Sequence, residues 1–151
     1  SSFERFSKVA DLFINGIYWD SQAPAFFTRE QMAADDFNIQ VIADVTCDIA
    51  PVSSIPSTIK ASTIADPVFG YNPRTGEDTA PFQLDTIDMM TIDNLPSELP
   101  RDASTAFGQM YIEQVLPHML APNSAMIERA TIAQHGRLGP QFGYLYDFVN
   151  D

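Results

Sequence analysis

Two short apolar runs set the architecture of this chain: Asp11-Leu-Phe-Ile-Asn-Gly-Ile17 and Ile39-Gln-Val-Ile-Ala-Asp-Val45. Both are rich in branched side chains and end in polar residues or glycine, a pattern typical of parallel strands that are covered on both faces. Between them, Thr28-Arg-Glu-Gln31 has the spacing of a capping box and predicts a short helix through about Ala34. Strand, helix and strand make one crossover unit, so the sequence predicts an α/β fold with both strands central in the sheet.

Further elements follow from composition and spacing along the rest of the chain. Pro100 suits the first turn of a helix, and Ala103, Phe107 and Met110 then repeat at helical spacing. In chain order, we predict a helix tail over 3–10, a long structured loop over 46–65, strands within 66–73 and 85–93, a turn over 74–78, and helices over 100–120, 124–134 and 140–149.

Composition excludes several classes of function. The chain has 151 residues and 45% hydrophobic content, which is enough for a globular domain with its own core. A net charge of −12, with only 8 basic residues, argues against nucleic acid or an anionic membrane as a partner. No apolar stretch approaches the roughly 20 residues needed to cross a bilayer. The single cysteine, Cys47, excludes an internal disulfide and fits a reducing compartment, so we expect a cytoplasmic protein.

One expected motif of a dinucleotide-binding sheet does not occur in this sequence. Such a sheet opens with a strand, a glycine-rich turn and a helix, whose glycines let the backbone approach the pyrophosphate. The 7 glycines here are scattered instead. The sequence therefore predicts the second half of a Rossmann-like parallel sheet followed by C-terminal helices.

Four ordered blocks carry a resemblance to a known family. They are Asp11–Asp20, Asp44–Asp48, Ser62–Pro67 and Ile92–Ala103. Together they resemble the lysine-forming saccharopine dehydrogenases and lysine 2-oxoglutarate reductases, which are related to alanine dehydrogenase and transhydrogenase. In that family two Rossmann-like domains enclose the active site.

The resemblance implies a division of labour within this chain. Residues 1–99 correspond to the C-terminal half of the dinucleotide-binding domain, and residues 100–151 to a helical segment that returns to the first domain. The implied reaction oxidises saccharopine with NAD or NADP and releases lysine and 2-oxoglutarate. The Lys and His that act as acid and base in the family match no position here, so we expect no catalytic residue and no activity from the chain alone.

The resemblance also implies ligand contacts at the ends of the strands. Family members often have Ser and Ala where this chain has Thr46 and Cys47, which puts side-chain contacts there in doubt. The implied cofactor contacts are Tyr18, Val45, Ile92, Asp93, Asn94 and Leu95, and the implied substrate contacts are Thr46, Cys47 and Asp48.

Several of these residues also have a purely structural interpretation. Tyr18 equally suits a rim aromatic that packs on a loop, and Asp48 suits a side-chain-capped turn. Asp93 and Asn94 suit a turn ahead of Pro96. No histidine has a second ligand at metal spacing, and no histidine lies near Cys47 in sequence, so we expect neither a metal site nor a cysteine nucleophile.

The sequence is also compatible with two other functions, and it suggests two alternative partners. The chain suits a non-catalytic binding or assembly module that kept the fold, or a dehydrogenase of a related amino acid or opine. NAD and NADP are not distinguished, because the discriminating residue lies in the half of the sheet that this sequence lacks. That half, as a companion chain, is the expected partner; self-association through the open edge of the 11–17 strand is the alternative.

Overall fold

A five-stranded sheet forms the centre of the part of the chain that ends at Glu98, and a second unit begins at Leu99. The structure is a computed structural model that describes residues 3–150. In chain order, the elements of the first unit are α1 (Glu4–Ser7), β1 (Leu12–Asn15), α2 (Arg29–Met32), β2 (Val41–Asp44), β3 (Val68–Asn72), β4 (Glu77–Thr79), β5 (Ile87–Met90) and a 3-10 turn (Leu95–Glu98).

The strand order is β1-β2-β5-β3-β4, and the prediction of an α/β fold is confirmed. Strands β1, β2 and β5 run parallel, and α2 lies in the predicted crossover between β1 and β2. Strand β3 runs antiparallel to both β5 and β4, so the sheet is mixed. The sequence did not indicate β4, because its residues Glu77, Asp78 and Thr79 are all polar and lack the apolar alternation of a half-buried strand.

One face of this sheet carries the hydrophobic core of the first unit. Phe13, Ile42, Met89 and Phe69 are neighbours in register across four strands, and all point to the same face because side chains alternate along a strand. The helices and loops of the unit add further apolar side chains. The core consists of Phe27, Met32, Ile39, Ile42, Ile55, Phe69, Tyr71, Ile87 and Met89, with Phe3, Ala10, Phe13, Phe26, Phe37 and Ile59 packed around it.

The opposite face of the sheet is open at β1. Leu12 is 54% exposed and Ile14 is 63% exposed, and their register neighbours Val41 and Ala43 are only partly buried. The prediction that both apolar runs are central and covered on two faces is therefore wrong for β1, which lies at an edge of the sheet. A continuous apolar run predicts a strand that is buried on both faces. In residues 3–150, however, only one face of β1 is buried.

Helix α2 begins at the predicted capping box, which is confirmed. The Thr28 hydroxyl accepts from the Gln31 amide at 3.3 Å, and the Gln31 side chain accepts from the Thr28 amide at 2.9 Å. These two bonds satisfy backbone donors that a helix leaves free in its first turn. The helix ends at Met32 rather than Ala34.

Arg29 of α2 ties this helix to the turn between β3 and β4. Its Nε donates to the Pro73 carbonyl at 2.9 Å, and its Nη2 donates to the Arg74 carbonyl at 2.6 Å. Gly76 has φ +81°, and a Cβ at that position would lie 2.8 Å from Arg29 Nη1. The turn thus requires glycine both for its left-handed backbone and for the close approach of the guanidinium.

The second unit is built from short helices and one hairpin. Pro117 has no amide hydrogen, which accounts for a π-helical turn inside the predicted 100–120 helix. The elements are α3 (Pro100–Met110), the π-turn (Tyr111–Val115), α4 (Leu116–Leu120), α5 (Ala125–Ala130), β6 (Ala133–Gln134), β7 (Arg137–Leu138), a 3-10 turn (Gly143–Leu145) and α6 (Tyr146–Asn150).

Two predicted helices of this unit are shorter in the structure. The Ser124 side chain caps α5 by accepting from the Ile127 amide, but the chain then turns into the β6–β7 hairpin. His135 and Gly136, at φ 52° and 73°, form the two-residue turn, which needs positive φ at both positions. The predicted helix over 140–149 is reduced to the 3-10 turn and α6.

We expect Arg29→Ala to lower the free energy of unfolding by about 1 to 2 kcal/mol, because two hydrogen bonds from a partly exposed guanidinium are lost. Arg29→Lys should recover less than half of this, since an ammonium group lacks the planar fork that reaches both carbonyls. Urea denaturation measures the effect. Arg74→Ala is the matched control: its only ion pair among residues 3–150, with Asp35 at 3.6 Å, is exposed, so equal losses for both arginines would contradict the assignment.

Candidate functional site

A hollow lies beside the carboxyl ends of β1 and β2. Its volume is about 380 Å³, and it is lined by Gly16, Ile17, Tyr18 and Trp19 after β1 and by Val45, Thr46 and Asp48 after β2. In open α/β sheets, ligands bind outside the carboxyl ends of the parallel strands. Four residues predicted as ligand contacts, Tyr18, Val45, Thr46 and Asp48, thus come together at the expected edge of the sheet.

A buried polar network forms the base of this edge. Asn15 and Asp44 are paired in register at the last positions of β1 and β2, and they are 1% and 0% exposed. Asp44 Oδ1 accepts from Asn15 Nδ2 at 2.9 Å and from Thr46 Oγ1 at 2.5 Å. Asp44 Oδ2 accepts from Thr58 Oγ1 at 2.6 Å. These bonds offset the cost of burying a carboxylate and fix the chain where it leaves β2.

Cys47 does not line the hollow, although its neighbours Thr46 and Asp48 do. Its φ is 53°, and its Sγ–H donates to the Thr91 carbonyl at 3.0 Å, which links the end of β2 to the end of β5. Burial raises the pKa of the thiol, and the negative charges of Asp44, Asp93 and Asp48 raise this pKa further. A raised pKa keeps the sulfur protonated at neutral pH, whereas a nucleophilic cysteine has a lowered pKa and reacts as the thiolate.

Asp48 presents a carboxylate to the hollow. It is partly buried, and within residues 3–150 this carboxylate has neither a hydrogen bond nor an ion pair. The structural interpretation of Asp48, a side-chain-capped turn, therefore has no hydrogen bond to support it. A carboxylate in this position is able to accept from a ligand ammonium group.

The two aromatic residues of the hollow differ in their surroundings. Tyr18 is 99% exposed, so its ring is available at the rim. Trp19 donates from its indole N–H to the Pro24 carbonyl at 3.4 Å, which ties the segment after β1 to the loop that leads to α2. Tyr18 as a contact of a dinucleotide stays a prediction.

The segment 92–95 lies beyond β5 and does not line this hollow. Ile92 is 7% exposed and is paired with Ser62 in an isolated parallel bridge. Asp93 and Asn94 are exposed, and the Asn94 carbonyl accepts from the Ser97 amide at 3.0 Å at the start of the 3-10 turn. The turn interpretation thus has direct support, while contacts of Ile92, Asp93, Asn94 and Leu95 with a cofactor stay predictions.

Sequence reasoning missed the network under the hollow, namely Asn15, Asp44, Ser54 and Thr58. A signal was available for the first two. Asn15 lies two positions after Phe13, and Asp44 two positions after Ile42, so the alternation of a strand places both polar side chains on the core face. Ser54 and Thr58 belong to the irregular 46–65 segment, where sequence periodicity gives no orientation.

Neither a metal-binding cluster nor a membrane helix occurs in the part of the chain that the structure describes. Residues 3–150 contain no group of three His, Cys, Asp or Glu side chains that is placed to hold a metal ion. His118 Nδ1 lies 3.1 Å from Ser124 Oγ. Within the same range, every helix is too short or too polar to span a bilayer.

Comparison with known proteins identifies the family. No family model matches the chain. It is 33% identical to the NAD(+)-dependent, L-lysine-forming saccharopine dehydrogenase of Neurospora crassa over 115 residues, which are 76% of the chain. The chain belongs to the saccharopine dehydrogenase family. The Schizosaccharomyces pombe enzyme of the same name is 30% identical over 80% of the chain, and the alpha-aminoadipic semialdehyde synthase of Arabidopsis thaliana is 28% identical over 94%.

The match covers only part of each of these family members. It spans 28% of the Neurospora crassa protein, 31% of the Schizosaccharomyces pombe protein and 14% of the Arabidopsis thaliana protein. The family resemblance inferred from the four sequence blocks is confirmed.

We expect Cys47 to make stability fall at alkaline pH. Its pKa is raised by folding above the unfolded-state value of about 8.5, so its contribution is complete below that pH and is lost as the pH rises through the folded-state pKa. Unfolding free energies of the wild type and Cys47→Ser should therefore diverge as the pH rises above about 8.5, because serine does not titrate there. Tyr71, whose pKa burial also raises, is common to both proteins and cancels in the difference. A difference that is independent of pH would contradict this reading.

Proposed function

We propose that this chain forms one wall of the active site of an NAD-dependent saccharopine dehydrogenase. The reaction takes saccharopine, NAD⁺ and water to lysine, 2-oxoglutarate, NADH and a proton: the hydrogen of a C–H bond next to the amine nitrogen leaves as hydride, the amine loses a proton, and water hydrolyses the resulting imine. The observation that carries this proposal is the unpaired Asp48 carboxylate in a hollow at the carboxyl ends of two parallel strands. Membership of the family supports the choice of reaction.

In this proposal Asp48 binds and orients the substrate. Saccharopine carries an amino-acid ammonium group at neutral pH, and a charged hydrogen bond to a carboxylate contributes about 1.5 to 3 kcal/mol. Thr46 lines the same hollow, but its hydroxyl already donates to Asp44 and accepts from Asn15 Nδ2, so it offers a ligand one remaining acceptor lone pair. Cys47 acts through its backbone alone, because its side chain is bonded to Thr91.

The hollow suits one end of a dinucleotide. Its volume of about 380 Å³ is near the lower limit of ligand pockets, about 300 to 1,000 Å³, so it matches a nicotinamide ring and its neighbourhood better than a whole NAD. Tyr18 and Val45, which are 99% and 42% exposed, would hold this end. NAD accepts the hydride when it is bound. We propose NAD rather than NADP because the lysine-forming relatives bear NAD in their names.

A second polypeptide region completes the site in this proposal. The sequence contains neither the glycine-rich turn that anchors a pyrophosphate nor the acid and base of the family. Leu12 and Ile14 form an apolar, open sheet face at β1, the strand at the sheet edge. We propose that a region bearing the glycine-rich half-sheet covers this face and pairs with β1. The cytoplasm stays the proposed compartment.

The first prediction from this proposal concerns association. The 151-residue chain alone should form no NADH from saccharopine and should not sediment as a stable 16.7 kDa monomer. Co-expression with the part of the Neurospora crassa relative outside the matched region, hereafter the reconstituted enzyme, should give a soluble complex with activity. Ile14→Lys should prevent that complex, because it places a charge on the open face.

Leu84→Lys is the matched control, since Leu84 is fully exposed on the loop before β5 and should tolerate the charge. If the chain is a soluble monomer and does not bind the co-expressed part of the Neurospora crassa relative, the partner proposal is contradicted. A homodimer that Ile14→Lys dissociates would support self-association instead. A complex without activity toward any amino-acid substrate would favour a binding or assembly module, and activity on another secondary amine would favour a related dehydrogenase.

The second prediction concerns Asp48 in the reconstituted enzyme. Asp48→Asn and Asp48→Ala should raise the KM for saccharopine about tenfold or more, through loss of a charged hydrogen bond, and should change the KM for NAD much less. Asp35→Ala is the control: it removes the same charge in the loop before β2, where the Asp35 carboxylate forms an exposed ion pair with Arg74. Equal effects on both ligands would mean that Asp48 has a structural role.

A further inference from the structure

Asp44 is a carboxylate that is enclosed by hydrogen-bond donors and has no cation. Its side chain is 0% exposed, and no ion pair reaches it among residues 3–150. Structural carboxylates are rarely buried unless they are paired, because desolvation penalises the charge. The Asp44 carboxylate is buried without a cation next to a candidate binding site, and packing alone does not explain why a charged residue is present there.

The two oxygens of Asp44 hold different parts of the chain. Oδ2 accepts from Thr58 Oγ1 in the long loop. Oδ1 instead accepts from the Thr46 hydroxyl at 2.5 Å and from the Cys47 amide at 3.4 Å. The segment 46–48, hereafter the Asp48 turn, is thus held through Oδ1. Cys47 within it has φ 53°, a conformation that a residue with a Cβ adopts at a cost, so the turn depends on these bonds.

Asn15 fixes the orientation of this arrangement. Its Nδ2 lies 2.9 Å from Asp44 Oδ1, from Thr46 Oγ1 and from Ser54 Oγ. Its Oδ1 is buried and has no partner in the described structure. A carboxylate only accepts, so the amide nitrogen must face Asp44 even though the amide oxygen is then unsatisfied. The network therefore gives up one hydrogen bond and keeps Asp44 and Thr46 in place.

We propose that Asp44, oriented by Asn15, is a positioning residue that holds the Asp48 turn so that the Asp48 carboxylate faces the substrate ammonium group. The inference rests on the proposed function in one respect, the identity of what Asp48 binds. Its structural part, that Oδ1 holds the turn and Oδ2 does not, is independent of that function. The two parts are tested separately.

The structural part is tested on the chain itself by amide hydrogen exchange. Asp44→Asn puts an amide donor against surrounding donors, and it should speed exchange of the Cys47 amide about tenfold or more relative to core amides such as that of Ile42. Thr58→Val is the matched variant, because it removes one hydroxyl bond to Oδ2. It should leave the ratio of Cys47 exchange to core exchange unchanged. A ratio that changes equally in both variants, or in neither, would overturn the proposal.

If Asp44→Asn does not fold, Thr46→Val and Thr46→Ser test the same proposal. Thr46→Val removes the hydroxyl that Asp44 accepts from, and Thr46→Ser keeps it. Valine should speed Cys47 exchange and serine should restore protection. Failure of serine to restore it would also overturn the positioning role, since the methyl group rather than the hydrogen bond would then matter.

The functional part is tested with a double-mutant cycle in the reconstituted enzyme. Asp44→Asn should raise the KM for saccharopine about tenfold in the wild type and leave it almost unchanged in an Asp48→Ala background, because Asp44 acts through Asp48. Additive effects would show that Asp44 does not act through Asp48 and would overturn the proposal. No effect of either residue on KM, together with altered exchange of the turn, would refute the proposed substrate role and leave the structural positioning intact.

Discussion

The contact between the Asn15 amide and the Asp44 carboxylate joins the ends of two parallel strands, and the candidate site depends on it. The two residues are register partners on the core face, so their side chains meet without solvent between them. The neighbouring hydroxyl and amide groups add donors to the same carboxylate. A buried polar network is stabilising only when its charged member is satisfied, and this one leaves a single amide oxygen without a partner. The polar edge of the sheet is thus specific in geometry and costly to rearrange.

The two faces of the sheet differ in how far they are covered. On one face, aromatic and branched side chains form a closed core, in which Phe27 is 1% exposed and Ile42 is 0% exposed. On the other, Leu12 and Ile14 of the edge strand remain open. Apolar area of this kind favours association, because burial removes it from water at about 25 cal/mol per Å². In the proposed function, another polypeptide region covers this face and supplies the acid and base of the reaction.

Several parts of the fold and site could be predicted from sequence, and the failures have identifiable physical causes. The capping box at Thr28 was predicted correctly, because a cap depends on residues within one turn of helix. The β6–β7 hairpin was missed because its strands are two residues each, too short to show alternation. Tyr18 and Asp48 reached the same hollow, as the strand-end rule predicted, whereas the 92–95 segment lies elsewhere.

The sequence by itself determined the four apolar strands β1, β2, β3 and β5, the first turn of helix α2, the absence of a glycine-rich turn and the family. These features depend on the order of residue types over a few neighbouring positions, which the sequence shows directly. Only the tertiary structure decided which faces are covered and which groups meet at the site. Asn15 and Asp44 are 29 positions apart, and Cys47 and Thr91 are 44 apart. Whether such side chains meet depends on strand order and register, and these are set by packing of the whole sheet rather than by any local pattern.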